Sequence, residues 1–278
     1  MRFVWQLLAA VLVAVVGGQA VGAVEGSPWL QLVLGLLTAV AAVLVYGWVV
    51  RKTEHRPSTE VARKGAEAAI GRGLLIGVAM FGAVITNIYF NAHYEINGLG
   101  SVSGAVGLVG FMAAASVTEE VMFRGVLFRI IEERTGTWIA LTLTALLFGA
   151  VHLLNPNATL WGGLAIAIEA GGMLAAAYAA TRTLWLPIGL HFGWNFAAAG
   201  IFSTEVSGND TPQGLLDTVT SGPAWVTGGD FGPEGSVYSV VFGALITGAF
   251  LWLAHRRGNL VPRRRGADKA AAATTLPR

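Results

Sequence analysis

The amino-acid sequence predicts an all-α fold, that of a polytopic membrane protein with about eight transmembrane helices. Of the 278 residues, 54% are hydrophobic and only 12% are charged, and the mean hydropathy is +0.63. A soluble domain usually carries about 25% charged residues. The apolar runs are about 17–25 residues long, which is the length needed to cross a hydrocarbon core about 30 Å thick. Because these runs are continuous and rich in Leu, Ala and Val, a transmembrane β-barrel is disfavoured.

Eight apolar segments follow one another along the chain. The predicted spans are about 4–23, 28–50, 73–93, 104–130, 137–154, 159–180, 184–201 and 236–254. The connection at about 51–72 mixes both charge signs and is expected to be a solvated connector or a short helix. Asn155-Pro156-Asn157 predicts a turn after the fifth span.

The basic residues sort onto one side of this arrangement. All 18 Lys and Arg lie before the first span, after the second, at the end of the fourth, after the sixth, or in the tail. They are Arg2, Arg51, Lys52, Arg56, Arg63, Lys64, Arg72, Arg124, Arg129, Arg134, Arg182 and seven residues from Arg256 to Arg278. The opposite loop at about 202–235 carries acidic residues and no basic one. By the positive-inside rule, we expect both termini in the cytoplasm.

The first span has an alternative interpretation. Arg2, the apolar run and the Val21-Gly22-Ala23 ending could form a cleaved signal peptide, which would leave seven spans and an outside N-terminus. The single charge before a long apolar run favours a membrane span.

The basic tail and the absence of cysteine narrow the function classes. We expect the tail from Arg256 to be disordered and attracted to anionic lipid, because it combines basic runs with Ala, Thr and Pro. It has no interleaved aromatic residues, so no nucleic-acid partner is expected. Without cysteine, disulfides, thiol chemistry and Cys-ligated metal sites are excluded.

Five ionisable residues lie well inside apolar spans: Glu119, Glu120, Glu169, His152 and His191. Placing a charge at bilayer depth costs about 2.5–3.5 kcal/mol or more, so such residues indicate a functional site. Two histidines with two carboxylates are more than packing requires. We expect Glu169 to form a hydrogen bond between helices. Alternatively, Glu169 could line a substrate cavity.

Helical spacing separates the two adjacent glutamates. Glu120 and Arg124 are four residues apart, so they share a face and can form an ion pair. Glu119 is rotated by about 100° and can face another neighbour. One carboxylate is therefore expected to be structural and the other reactive. The fourth helix must continue past Arg124 for Glu119 to reach the depth of the histidines.

The remaining polar residues also pair by helical spacing. Phe148 and His152 share a face, as do His191 and Asn195. At about 1.5 Å per residue, the depths from the basic ends of the spans are about 18 Å for Glu119, 22 Å for His152 and 12 Å for His191. These depths agree within two helical turns, so the groups can converge.

The set suits the hydrolysis of an amide. A carboxylate next to an imidazole can deprotonate water, and His191 with Asn195 offers donors for an oxyanion. Alternatively, Glu119, His152 and His191 could bind Zn²⁺ with a water in the open position. The HExxH spacing is absent, and each ligand would come from a separate helix.

Together, these residues resemble the CPBP family of intramembrane proteases, which includes the CAAX prenyl endopeptidases of the Ras-converting type and bacteriocin-processing and self-immunity proteins. The family pattern is EExxxR, FxxxH and HxxxN. It stands here as Glu119-Glu120-Val-Met-Phe-Arg124, Phe148-Gly-Ala-Val-His152 and His191-Phe-Gly-Trp-Asn195. The resemblance covers about 104–200, and three motifs in order make it specific.

The resemblance implies an eight-helix α fold with the active site in a membrane cavity open toward the cytoplasm. It implies Glu119 as general base with His152, and His191 with Asn195 as oxyanion stabilisers. The remaining motif residues would be supporting: Glu120, Arg124 and Phe148. A zinc-dependent version remains the alternative to the glutamate mechanism, so Zn is a possible cofactor.

The resemblance also divides the chain. Residues 1–103 would hold three transmembrane helices with the cytoplasmic connector, 104–200 the protease core, and 201–278 the outer acidic loop, the last helix and the basic tail. The expected partners are the lipid bilayer and a membrane-associated peptide or protein substrate, and the expected location is the bacterial cytoplasmic membrane. Two alternatives are a non-proteolytic immunity or membrane binding protein and a proton-coupled transporter.

Overall fold

The computed structural model describes residues 1–263 and is a bundle of long helices. Within that range, seven helices are long and apolar enough to cross a membrane. They are α1 (Arg2–Gly22), α2 (Pro28–Glu54), α3 (Ala66–Phe90), α4 (Val102–Thr135), α5 (Thr137–Leu154), α6 (Leu160–Thr181) and α8 (Val237–Arg256). The predicted all-α polytopic membrane fold is confirmed. The prediction of a disordered, lipid-binding tail concerns mainly residues outside the described range.

The seventh predicted span forms a helix that is shorter than the seven membrane-spanning helices. It forms α7 at 185–201, which consists of an α-helix at Trp185–Asn195 and a wider turn at Phe196–Ile201. At about 1.5 Å per residue, this helix is about 25 Å long, shorter than the hydrocarbon core. It carries the third sequence motif, and most of its residues are buried among the other helices.

Helix α4 runs without a break from Val102 to Thr135. It therefore continues past Arg124, as the comparison of depths required. Arg124 is buried inside the bundle, and the exposed end of the helix carries Glu133 and Arg134.

The end of the bundle that carries the basic residues, called the inner end below, is held by a buried ion network. Arg129 of α4 contacts Glu54 of α2 at 2.9 Å, and its Nη2 donates to the Gln6 side chain of α1 at 2.8 Å. Glu60 of the 55–65 connector is also buried and lies 3.6 Å from Arg129. The connector contains one short 3-10 helix at Thr59–Val61, and most of its residues are exposed while Glu60 packs against the bundle.

Glycine spacing brings α3 and α7 into backbone contact. Gly73 and Gly77 of α3 face Gly189 and Gly193 of α7. A Cβ atom on Gly77 would overlap the backbone of α7 around Leu190. Such small-residue pairs let membrane helices approach closely and gain van der Waals contact. The contact fixes the position of α7 and of the motif on it.

The opposite end, called the outer end below, carries a small sheet that the sequence did not predict. Strands β1 (Tyr94–Leu99) and β2 (Leu216–Thr220) pair antiparallel, with an irregular register between Ile96 and Gly98. They join the α3–α4 connection to the long 202–236 loop. This loop folds back onto the bundle, and its Phe231 is buried in the core.

Tightly packed side chains fill the inner half of the bundle. The inner core, as named here, centres on Tyr46, Val126, Phe128, Tyr178 and Leu184, which are all at most 2% exposed. The Tyr46 hydroxyl donates to a backbone carbonyl of α4 at 3.1 Å. The polar motif residues therefore lie between this packed half and the outer end.

Candidate active site

Three helices change their hydrogen-bonding pattern at or next to the polar residues. The backbone widens to π-helical turns at Val121–Phe128, Ala167–Gly172 and Phe196–Ile201. The first begins directly after Glu120, and the last directly after Asn195. Such turns are rare and frequently occur at functional sites. They also leave carbonyl groups available to side chains from other helices.

Arg124 connects α4 to the π-helical turn of α6. Its Nη1 lies 2.8 Å from Glu120 Oε1, and its Nη2 donates to the carbonyls of Ala170 and Gly171 at 3.2 and 3.1 Å. Arg124 is only 1% exposed. A buried charge is tolerated when it is paired and hydrogen-bonded. The ion pair predicted from the spacing of Glu120 and Arg124 is present.

Glu120 also holds His191. The Nδ1 atom of His191 lies 3.0 Å from Glu120 Oε1, the same oxygen that Arg124 contacts. Since Arg124 can only donate, this oxygen is an acceptor, and His191 donates through Nδ1. Glu120 is fully buried. Its carboxylate holds the side chains of Arg124 and His191 in position.

Glu119 lies on the other side of the same imidazole. Its Oε2 is 3.8 Å from His191 Nε2, and its side chain is 28% exposed. The resemblance pairs Glu119 with His152, whereas the nearest described imidazole to Glu119 is that of His191. Both histidines remain within the site.

Phe148 lies at the centre of the motif residues. Its ring centroid is 4.6 Å from the Arg124 guanidinium, a cation–π distance. The same ring lies 4.8 Å from the His152 ring and 6.0 Å from the His191 ring. The Phe148 carbonyl is 2.6 Å from His152 Nδ1, which assigns the proton to Nδ1 and leaves Nε2 as an acceptor.

A cavity of about 460 Å³ brings three of the predicted catalytic side chains together. Glu119, His152 and Asn195 all line it. This volume is typical of small-molecule and peptide side-chain sites. His191 lies just behind the wall, almost fully buried. The rest of the wall is largely apolar and includes Phe111.

The cavity opens at the outer end. Its rim includes Glu25 of the α1–α2 connection, Asn155 after α5 and 209–212 of the long loop. The basic residues lie at the other end of the bundle. The cytoplasmic opening implied by the resemblance and the orientation predicted from charge therefore cannot both be correct. The inner core fills the half of the bundle next to the basic residues, so the cavity does not open at that end.

The rim is held by hydrogen bonds within the outer loop. The Thr211 N–H donates to Glu205 Oε2 at 2.9 Å, and Asn157 Nδ2 donates to Asp210 Oδ1 at 2.9 Å. Burial raises the pKa of the Glu205 carboxyl, the nearby Asp210 carboxylate raises it further, and the Thr211 hydrogen bond lowers it. The rim is thus an ordered part of the loop.

The position of Glu169 differs from the prediction. The residue is fully buried, and neither carboxyl oxygen has a hydrogen-bond partner among residues 1–263. The expected interhelical hydrogen bond is therefore wrong. Glu169 lines a small cavity of about 10 Å³ together with His152, His191 and Asn195. That volume is close to the least that can hold one water molecule.

One site residue was not identified from the sequence. Glu234 counted only as a charge of the outer loop, but it is buried and accepts from Trp194 Nε1 at 2.9 Å. It also accepts from the Ser207 hydroxyl at 2.8 Å. Glu234 therefore fastens the outer loop to α7 beside Asn195. No sequence pattern distinguishes it from the exposed acidic residues of the same loop.

The zinc alternative has no ligand set in the part of the chain that the structure describes. No group of three or more His, Asp and Glu side chains is arranged there to hold a metal ion. The proposed chemistry therefore has no step through a metal.

Comparison with known proteins finds a family match over the segment that carries the motifs. Residues 101–197, which contain all three motifs, match the family described as type II CAAX prenyl endopeptidase Rce1-like. The chain is also 25% identical over 150 residues to the candidate membrane peptidase YdiL of Bacillus subtilis (strain 168), which is 49% of this chain and 59% of that protein. No solved structure is significantly similar to the chain. The segment that carries all three motifs is therefore similar to type II CAAX prenyl endopeptidases, and this match covers residues 101–197 of 278.

Proposed function

We propose that the protein is an intramembrane endopeptidase that hydrolyses a peptide bond in a membrane-associated peptide or protein. The observation that carries this proposal is the convergence of Glu119, His152 and Asn195 on one cavity inside the bundle. Glu120 holds His191 directly behind them. This set contains a base for water and donors for a developing oxyanion.

Glu119 is the proposed general base. Its side chain reaches the cavity, so its carboxylate can take a proton from a water molecule bound there. His152 lines the same cavity and is fixed by its contact with the Phe148 carbonyl. With its proton on Nδ1, the Nε2 lone pair can accept a hydrogen bond from that water.

Asn195 and His191 are the proposed oxyanion stabilisers. The Asn195 amide can donate without any change of charge. His191 already donates through Nδ1 to Glu120, so its Nε2 donates only when the ring is an imidazolium. The oxyanion role of His191 therefore depends on the two carboxylates beside it, which counterbalance the charge of that form.

The hydrolysis needs no reactant other than water and the peptide. The water oxygen bonds to the carbonyl carbon while Glu119 takes one water proton. The carbonyl oxygen becomes the oxyanion, held by Asn195 and His191. As the C–N bond breaks, the proton on Glu119 passes to the leaving amine nitrogen.

The substrate and location are part of the proposal. The apolar wall of the cavity suits a peptide segment that comes from the bilayer or lies at its surface. We propose the bacterial cytoplasmic membrane as the location and the cytoplasm as the location of both termini, since the basic residues gather at one end of the bundle. The proposal does not include prenylation of the substrate.

The decisive experiment compares protein termini in cells that express the wild type or Glu119→Ala. New N-termini that depend on the wild type should disappear in this variant and persist in Glu95→Ala, which removes an exposed carboxylate of β1. Purified protein in proteoliposomes should then cleave the peptides found in this way, with no loss on adding a metal chelator. Cleavage by Glu119→Ala at the wild-type rate would disprove the mechanism. Loss of activity with a chelator and recovery with Zn²⁺ would favour the zinc version.

A further inference from the structure

We propose that the cavity receives its substrate from the non-cytoplasmic face of the membrane. The substrate would be a neutral or positively charged peptide segment presented at that face. This inference rests on the proposed function and specifies the side and the charge of the substrate. It follows from where the cavity opens, what closes the other half of the bundle, and how charge is distributed.

The rim of the cavity lies at the outer end of the bundle. Every loop that borders the cavity belongs to the outer end: the α1–α2 connection at Glu25, the α5–α6 connection at Asn155, and 206–212. From this rim the cavity extends along α4 past Phe111 to Glu119, which lies about midway along the helix. A substrate entering here reaches Glu119 without passing through a packed layer.

Packed side chains separate the cavity from the inner end of the bundle. Between the polar motif residues and the inner end lie Tyr46, Phe128 and Tyr178 of the inner core. Beyond them, Arg129 and its partners join α1, α2, α4 and the connector. The surface hollow at the inner end is bordered by residues such as Glu133 and includes none of the site residues. Access from the inner end would require these buried contacts to break.

The distribution of Lys and Arg indicates which end of the bundle faces the cytoplasm. The connections at the inner end contain Lys and Arg repeatedly, as at Arg51, Lys52, Arg63 and Lys64. No connection at the outer end contains either residue type. Short loops with this bias remain in the cytoplasm. The outer end, and with it the cavity mouth, therefore faces away from the cytoplasm.

The charged residues that border the cavity indicate the charge of the substrate. Glu25, Glu119 and Asp210 border the cavity, and no Lys or Arg in the described chain does so. A cleft lined by charges of one sign raises the local concentration of ions of the opposite sign. A cationic or neutral segment is therefore favoured over an anionic one.

The absence of cysteine from the chain makes the test direct, because the wild type is an unreactive control. Three single variants place a thiol at defined positions: Ala115→Cys in the cavity wall one turn before Glu119, Asp210→Cys at the rim, and Lys64→Cys on the exposed inner connector. Each is treated in intact cells with a membrane-impermeant maleimide. Labelling is then repeated after the cells are permeabilised.

Ala115→Cys and Asp210→Cys should react in intact cells, and Lys64→Cys only after permeabilisation. The reverse pattern would overturn the proposal. If Ala115→Cys reacts only after permeabilisation while Asp210→Cys reacts outside, the cavity is closed to the outer face and the proposal also fails. Labelling does not depend on cleavage. Outside labelling combined with unchanged protein termini in Glu119→Ala cells would contradict the proposed function and leave the access route intact.

The charge preference is tested with two thiosulfonates of similar size, one carrying a trimethylammonium group and one a sulfonate. The ratio of their reaction rates at Ala115→Cys is divided by the same ratio at Lys64→Cys in permeabilised cells. The quotient should favour the cation by about tenfold or more, since focused fields change local ion concentrations by about 10–10³. A quotient near one, or one that favours the anion, would contradict the preference.

Discussion

Glu119 and Glu120 are neighbours in the sequence, but they lie in different surroundings. Glu119 is partly exposed to the cavity, whereas Glu120 is fully buried with Arg124 and His191. Their rotation by about 100° around the helix axis explains the difference. The helix thus supplies one carboxylate to the cavity and one to the buried network.

Replacing Glu120 by Gln should cost stability as well as activity. The amide keeps the shape of the carboxylate but leaves the Arg124 guanidinium without its counter-ion in the protein interior. Removing one partner of a buried ion pair destabilises by about 3–5 kcal/mol. Loss of the anchor on His191 should lower kcat by about 10–100-fold, by analogy with residues that orient metal or catalytic histidines. The measurements are thermal unfolding in detergent and cleavage of the peptides identified from protein termini.

The matched control is the double variant Glu120→Gln with Arg124→Gln. Because it removes both charges, it should be more stable than Glu120→Gln alone. KM should change little in Glu120→Gln, since Glu120 does not border the large cavity. Independent, additive effects of the two substitutions on stability would show that the ion pair has no energetic role.

Helix α7 depends on α3 for its position. Gly77→Ala places a methyl group where the α7 backbone at Leu190 already lies, so the two helices must separate. Because His191 follows Leu190 directly, we expect both a lower Tm and reduced kcat. Overpacking a close contact typically costs about 1–3 kcal/mol. Thermal unfolding and peptide cleavage measure the two effects.

Gly82→Ala provides the control on the same helix. No atom lies within 4 Å of the position of its Cβ, so the substitution meets open space. Ala is favoured over Gly in a helix by about 0.5–1 kcal/mol, so Gly82→Ala should be neutral or slightly stabilising. Equal Tm values for the two variants would refute the proposed close contact of α3 with α7.

The order and type of the long elements could be predicted from the sequence, but their local distortions could not. Apolar run length and charge position identify the helices, because crossing a bilayer imposes both. The π-helical turn at Ala167–Gly172 depends on Arg124, which reaches across from α4 to its carbonyls. The β1–β2 pairing depends on the long loop returning to the α3–α4 connection. Both arise from contacts between distant segments, which a local pattern does not contain.

The sequence indicated which motif residues lie close together better than it indicated their arrangement. Helical spacing indicated the Glu120–Arg124 pair, and depths that agree within two helical turns indicated that the groups can converge. Glu169 was expected to form an interhelical hydrogen bond, because burial without a hydrogen bond is the less common state of a polar group, but it has none among the described residues. Glu234 was missed, because a loop carboxylate is usually exposed. Both residues line the small cavity beside the motif residues, where they depart from the average behaviour of polar groups.

For the whole molecule, the two halves of the bundle have different tasks. The inner half is tightly packed and held together by ion pairs between side chains. The outer half contains the cavity and the loop that borders it. Proteins commonly support a functional cavity with a rigid scaffold that takes no part in the chemistry. This division predicts that a substitution in the inner network changes stability without changing the reaction.

Arg129→Ala tests that division. The substitution removes contacts from Arg129 to Gln6, Glu54 and Glu60 and leaves two buried carboxylates with fewer partners. Breaking a buried ion network costs about 3–5 kcal/mol, so Tm in detergent should fall markedly. Below the unfolding transition, kcat and KM should remain near the wild-type values, because Arg129 does not border the cavity. Arg134→Ala is the control, since Arg134 is exposed and has no ion pair among the described residues; it should leave Tm unchanged. A variant of Arg129 with normal Tm, or one whose folded form has lost kcat, would show that the inner half is not a separate scaffold.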